Sequence, residues 1–174
     1  IFAALTVAMA RALSLIPSIP IGPTKFSFGF LARALCSLVC GPVMGMSVGF
    51  VEDILGYALQ PEGAFFIGYT ISTMAGMLVY GLCFYRARIT VARLVVANLL
   101  VNVFVNALMG SVWNMIIYQS PYWAFFWPSL GKNLVTIVPK VILMYVAYQG
   151  IIPVLQQVGL IPRQLDEKNR ITWI

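Results

Sequence analysis

The sequence predicts an all-α integral membrane protein of six transmembrane helices, with N- and C-termini cytoplasmic, and three observations carry that prediction. Of 174 residues, 61% are hydrophobic and only 9% are charged, where a soluble domain carries about 25% charged residues. Apolar stretches approaching the roughly 20 residues of a membrane span recur along the chain, divided by proline, glycine and polar punctuation. Arginine and lysine collect in alternate connections, as they do in proteins oriented by positive charge. Mean hydropathy is +0.92. The length suits one domain over residues 1–174, with a polar cytoplasmic tail from about 153 to 174. The chain opens on Ile1 and not on methionine, and a short N-terminal piece is expected to precede it.

The first span covers about Ile1 to Ile16. It ends in prolines and lacks a small-residue cleavage site, so it reads as a spanning helix and not as a signal peptide. Pro17, Pro20, Gly22 and Pro23 forbid helix and give a long loop to about Ser27. The second span covers roughly Phe28 to Val39. Gly41-Pro42 breaks the chain, and the third span runs from about Val43 to Leu59. Both are short, and hydropathy also permits one broken helix there, a kind of segment that often lies at a binding site near membrane depth. Pro61-Glu62-Gly63 is a turn, followed by a fourth span from about Ala64 to Tyr85 and a fifth from about Thr90 to Tyr118. The aromatic stretch Pro121 to Pro128 connects to a sixth span, about Ser129 to Ile152.

Arg86, Arg88 and Arg93 sit between spans four and five, and Arg163, Lys168 and Arg170 in the tail. An even number of spans puts both groups on one side, the cytoplasmic one. The other three connections then face outward. In the last of them Tyr122, Trp123 and Trp127 serve either as an interfacial belt or as a lid over a planar ligand.

Several functions are excluded. There is no histidine, and Cys36, Cys40 and Cys83 form no CxxC pair, so neither a metal site nor a cofactor is expected. Cys36 and Cys40 read as small core residues at i, i+4. Net charge is +6, but no basic run exists, and nucleic acid is not a partner. No GxxxxGK[ST], HExxH or GxSxG occurs, so no ATP hydrolysis and no catalytic residues are expected.

Eleven Lys and Arg residues are present, and topology leaves Arg11, Lys25, Arg33, Lys132 and Lys140 unexplained. A charge at the centre of a span costs roughly 2.5–3.5 kcal/mol on insertion scales, which marks each as a functional candidate. Glu52, Asp53 and Glu62 are the acidic residues outside the tail, too few to pair all five. Snorkelling competes as an explanation, above all for Arg33 and Lys140. Cations held in a greasy scaffold toward its outer face point to a pocket for an anionic small molecule.

Asp53 can accept two parallel hydrogen bonds, from an arginine such as Arg33 or Arg11 or from an aminopyrimidine edge. Its neighbour Glu52 need not share its role, since adjacent helix residues face different ways. Asn98, Asn102 and Asn106 line one face of the fifth span, with Trp113 and Asn114 nearer its outer end. They either glue helices together or read a ligand edge. Small-residue lines occur at Ala4, Ala8 and Ala12, at Gly41, Gly45 and Gly49, and at Gly68, Ser72 and Gly76. Such lines permit close helix approach, either within the chain or onto a second membrane protein.

The stretches Ile19-Pro20-Ile21-Gly22-Pro23-Thr24-Lys25-Phe26-Ser27-Phe28-Gly29-Phe30, Cys40-Gly41-Pro42-Val43, Glu52-Asp53-Ile54-Leu55-Gly56 and Gly63-Ala64-Phe65-Phe66-Ile67-Gly68-Tyr69-Thr70 resemble the folate-type substrate-binding subunits of energy-coupling factor transporters. The match covers most of the first half, and the six-helix layout extends it over the chain. The resemblance implies a multi-pass receptor in a bacterial plasma membrane that binds folate from outside. It further implies docking onto a transmembrane coupling subunit and, through it, onto two cytoplasmic ATPase subunits. In this family an Ala-x-x-x-Ala line on the first helix makes the docking contact, and Ala4, Ala8 and Ala12 fit it. Outer loops gate the pocket, which assigns that role to Pro20, Gly22, Pro23, Pro61 and Gly63. Folate chemistry suits the residues: Arg11, Lys25, Arg33, Lys132 and Lys140 for its carboxylates, Asp53 for the pterin edge, Phe28, Tyr69 and Trp113 for the rings, and Asn106 for a polar edge. Rival readings are a subunit for another anionic or heteroaromatic vitamin, a small intramembrane enzyme, and a stand-alone facilitator.

Overall fold

The computed structural model describes residue 8, the backbone of 19–21 and 24–26, and residues 29–59 and 65–159. Apart from Ala8, which is helical and exposed, the first predicted span lies outside these, as do the turn at Pro61-Glu62-Gly63 and the tail from 160. The chain forms two compact units, Ile1–Gly81 and Leu82–Ile174.

The first unit opens on a short antiparallel hairpin where a loop was expected. β1 (Ile19–Ile21) pairs with β2 (Thr24–Phe26) in the register Ile19↔Phe26, Pro20↔Lys25, Ile21↔Thr24. β-Branched and aromatic residues favour extended backbone. A two-stranded sheet consists of edges alone, where Pro20 and its missing N–H are tolerated.

Helix α1 (Gly29–Leu59) follows as one continuous run, broken within at Gly41, whose backbone sits at φ 84°, ψ 179°. Only glycine adopts that conformation without strain, and Pro42 next to it supplies no N–H to a helical ladder. The break is a reversal. In a straight helix Arg33 and Glu52 would stand about 28 Å apart at 1.5 Å per residue, yet their side chains meet at 2.8 Å. A Cβ at Gly45 would lie 3.1 Å from the Ser37 hydroxyl, although eight positions separate the two. The stretches 29–40 and 42–59 therefore run back along each other, as the predicted second and third spans require.

Helix α2 (Ile67–Phe84) starts later than expected and closes this unit. Cys36, Val48 and Met77 pack together with Cys40 at their edge. The glycines predicted to form seams do so internally. Gly41, Gly45, Gly49, Gly68 and Gly76 are all buried, and a Cβ at Gly49 would lie 2.8 Å from the Met77 sulfur.

In the second unit Thr90 caps the next helix, its hydroxyl accepting from the Arg93 N–H at 3.3 Å. Helix α3 (Val91–Leu100) passes into a π-helical segment (Val101–Met109) and then into α4 (Gly110–Tyr118). The whole is the predicted fifth span, ended by Gln119 in the left-handed region at φ 51°. Helix α5 (Tyr122–Gln157) begins seven residues before the expected Ser129 and carries Pro128, Pro139 and Pro153 inside it. The aromatic stretch is thus helix and not connector. Membrane helices accommodate internal prolines through local adjustment. The core of this unit is Phe84, Ile89, Leu94, Val105, Met144, Tyr148 and Ile152, with Phe84 and Tyr148 edge to face at 6.1 Å.

Among the described residues four helical stretches are long and apolar enough to cross a membrane: Gly29–Leu59, Ile67–Phe84, Val91–Tyr118 and Tyr122–Gln157. Within the first unit α2 approaches the reversal closely. A methyl group on Gly81 would fall 2.5 Å from Cα and 2.8 Å from N of Pro42. Gly81→Ala is therefore expected to destabilise the protein by about 1–3 kcal/mol. A thermal melt in detergent checks this, and an unchanged midpoint would mean that the two backbones are not in contact.

Candidate functional site

Among the described residues two polar clusters lie within the spans, one in each unit. In the first unit α1 presents two adjacent carboxylates, which helix geometry turns about 100° apart. Glu52 is buried and takes the guanidinium of Arg33. Arg33 Nε donates to Oε2 at 2.8 Å and to Oε1 at 3.1 Å, and its Nη2 donates to Oε1 at 3.0 Å. Side chains that look mismatched in the sequence thus neutralise one another across the reversal. Arg33 leaves the set of unmatched cations, and its partner is Glu52 and not Asp53.

Asp53 faces α2. Thr70 Oγ1 donates to its Oδ2 at 2.7 Å and Thr73 Oγ1 lies 3.3 Å from Oδ1, a hydroxyl that also reaches the Tyr69 carbonyl at 3.1 Å. A carboxylate offers about four lone-pair sites; Thr70 takes one, and Thr73, whose single proton is shared with the Tyr69 carbonyl, takes at most one more. The half-buried Asp53 keeps acceptor capacity on both oxygens. Aromatic residues stand at this end of the helix pair. Tyr57, one turn beyond Asp53, meets Phe65 edge to face at 5.1 Å, and Phe66 meets the exposed Tyr69 at 5.7 Å. Thr70, Thr73 and Tyr57 were not picked out in advance. The signal for Tyr57 was its i, i+4 spacing from Asp53, and for the threonines it was their spacing of three on one face of α2.

The second unit holds a ladder of amides. Asn102 is its hub. Its oxygen accepts from Asn106 Nδ2 at 2.9 Å and from Lys140 Nζ at 2.9 Å, and its nitrogen donates to the Asn133 carbonyl at 3.3 Å. Further rungs join the same helices: Ser129 Oγ to the Asn106 carbonyl at 3.4 Å and Asn98 Nδ2 to the Met144 sulfur at 3.2 Å. Positions 82–159 contain no Asp or Glu, so the polar groups of the described part of this unit are amides, hydroxyls and cations.

The remaining expected site residues divide plainly. Trp113 is half-buried on α4 and Lys132 is exposed on α5. Lys25 stands on β2 opposite Pro20. Arg11, Phe28, Ala4, Ala12, Gly22, Pro23, Pro61 and Gly63 lie outside the described residues. Among the described residues no group of three or more Cys, Asp or Glu could hold a metal ion.

The model of one protein family, described as ECF transporter, substrate-specific component, matches residues 2–148. The chain belongs to this family. As an ECF substrate-specific component it is a transport protein and not an enzyme. This S component is similar to the folate transporter FolT of Clostridium novyi, 30% identical over 125 residues that cover 72% of this chain and 73% of the relative. It is similar also to the folate transporter FolT of Leuconostoc mesenteroides, 31% identical over 117 residues, covering 64% and 63%. Among solved structures, the crystal structure of FolT bound with folic acid superposes on the S component with a TM-score of 0.72 at 26% identity, over 82% of this chain and 86% of that one.

Truncating one partner of a buried ion pair leaves the other charge uncompensated, a loss of about 3–5 kcal/mol, whereas apolar replacement of both is far milder. Glu52→Ala is expected to lower thermal stability by that order, and the double variant Arg33→Met, Glu52→Met to recover most of it. Equal stability of Glu52→Ala and the unaltered protein would show that the pair contributes nothing.

Proposed function

We propose that this S component is a high-affinity membrane receptor for folate, which it delivers to an ATP-driven energy-coupling module for import. The observation that carries the proposal is the likeness, over more than four-fifths of each chain, to a FolT structure that holds folic acid. The site chemistry agrees with it. Folate carries an aminopyrimidine edge, two aromatic rings and two carboxylates. Asp53, steadied by Thr70 and Thr73, accepts the paired N–H groups of the pterin edge. Phe28, Tyr69 and Trp113 stack on the rings. Arg11, Lys25, Lys132 and Lys140 meet the carboxylates, with Asn106 at a polar edge. Arg33, neutralised by Glu52, braces the helix that carries Asp53.

The topology in this proposal has six spans. Ile1–Ile16 is the first, and the two arms of α1 are the second and third. Both termini face the cytoplasm of a bacterial plasma membrane, as the arginines near 86–93 favour. Ala4, Ala8 and Ala12 dock onto the transmembrane coupling subunit, which joins the receptor to two ATPases. The hairpin around Pro20, Gly22 and Pro23 and the turn at Pro61 and Gly63 gate the outward opening.

Equilibrium binding of tritiated folate to the purified chain, without ATP, tests the proposal, and absence of saturable binding to folded protein would end it. Saturable riboflavin or thiamine binding in its place would reassign the cargo. Hydrogen bonds to a charged group contribute about 1.5–3 kcal/mol each, so Asp53→Ala is expected to weaken folate by about 10- to 100-fold. If its melting point falls while its affinity stays unchanged, Asp53 serves structure alone. Ala8→Trp is expected to leave binding intact and to abolish uptake into proteoliposomes containing the complete transporter. Loss of binding would assign that face to internal packing.

A further inference from the structure

We propose that Arg86, Arg88 and Arg93, on the connection between α2 and α3, form a binding surface for the headgroup of an anionic phospholipid. All of these side chains are exposed. Among the described residues no carboxylate pairs with any of them, and positions 82–159 hold none. Short-range bonds fix the connection that carries them. The Ala87 N–H donates to the Phe84 carbonyl at 3.2 Å as α2 ends, and the Thr90 hydroxyl accepts from the Arg93 N–H at 3.3 Å as α3 begins. Ile89, 1% exposed, pins the middle of the connection into the core. Arg86 takes the left-handed conformation there, at φ 54°. Glycine or asparagine adopts that conformation at lower cost, which points to the arginine side chain as the reason for its presence. Its guanidinium lies over the Tyr85 ring, 5.3 Å from the centroid. The ring orients the cation and is itself neutral.

The surroundings of the patch identify a lipid as its occupant. On the helices that flank it the exposed side chains are apolar: Leu82 at 68%, Val95 at 39% and Val96 at 49%. Acyl chains cover such surfaces, and a lipid that does so brings its headgroup to the adjoining arginines. The far end of the same span carries the side chains of a membrane interface. Val91–Tyr118 is 28 residues long, roughly 40 Å at 1.5 Å per residue, close to the roughly 40–45 Å of a bilayer with its headgroups. Just beyond it stand Trp123 and Trp127, both exposed and stacked at 6.2 Å, as tryptophans at headgroup level are. With one end of the span at that level, the arginines at the other reach the headgroups of the opposite leaflet. A guanidinium binds phosphate through parallel N–H donors, and a lipid phosphodiester supplies the anion that the chain itself does not.

The test is a titration of the detergent-purified chain with phosphatidylglycerol and with phosphatidylcholine of the same acyl chains, followed by native mass spectrometry. The readout is the ratio of the two dissociation constants, phosphatidylcholine over phosphatidylglycerol. The unaltered protein is expected to prefer phosphatidylglycerol by about tenfold or more, since each arginine near an anionic lipid adds to the attraction. The triple variant Arg86→Gln, Arg88→Gln, Arg93→Gln is expected to bring the ratio toward one. The triple variant with lysine at the same positions keeps the charge and is expected to keep a preference. Arg88→Gln alone, which lies outside both helices, is expected to lower the ratio severalfold and decides the matter if the triple glutamine variant fails to fold. A ratio that the glutamine substitutions leave unchanged would overturn the proposal. A ratio near one for the unaltered protein would overturn it too, and would leave the patch to an acidic protein surface. Glycerol phosphate binding from solution as tightly as phosphatidylglycerol would make the ligand a soluble phosphate and equally overturn the lipid assignment.

Discussion

Hydrocarbon offers no hydrogen bonds, so each polar group inside the spans must find its partner in the protein. That constraint organises both units. In the first, the doubled-back α1 brings the Arg33 guanidinium onto Glu52 from 19 positions away. In the second, Asn102 joins the π-helical segment to α5 through Asn133 and Lys140. The helices are fastened at these points. Apolar packing around Cys36, Val48 and Met77, and around Phe84 and Tyr148, fills the space between them.

The same constraint separates scaffold from chemistry. Glu52 and Asp53 are neighbours, and helix geometry sends one into the protein and the other to its edge. Glu52 meets a cation and becomes structural. Asp53 meets two hydroxyls, which orient a carboxylate without neutralising it. In the second unit Lys140 donates to the Asn102 amide oxygen. An ECF substrate-specific component must recognise cargo and carries out no reaction on it. In the folate proposal, a carboxylate oriented by hydroxyls is the chemistry such a protein needs.

Much of this was legible in the sequence where local chemistry decides the outcome. Gly41-Pro42 marked the reversal, because the backbone there is one that only glycine adopts readily. Thr90 marked the start of α3, because a hydroxyl there caps free N–H groups. The folate-type resemblance rested on contiguous residues around Glu52-Asp53 and Gly68-Tyr69-Thr70. What was illegible depends on contacts between distant residues. Which carboxylate would take Arg33 turns on the side to which each projects after the reversal. The aromatic stretch from Tyr122 is helical, with Pro121 at its N-cap and Pro128 inside it, and its rings stack along the helix, Tyr122 on Phe126 and Trp123 on Trp127. The π-helical register of Val101–Met109 has no compositional signature, since its side chains are those of any apolar helix. Arg33, counted among the unmatched cations, meets Glu52 across the reversal.

The central claim is that Asp53 holds acceptor sites for a heteroaromatic guest. A structure of this chain determined with folate bound tests it most directly. The account predicts the aminopyrimidine N–H groups within roughly 2.7–3.2 Å of the Asp53 oxygens, with Thr70 and Thr73 still donating to that carboxylate. A pterin ring seated elsewhere, with Asp53 bonded only to protein groups, would contradict it.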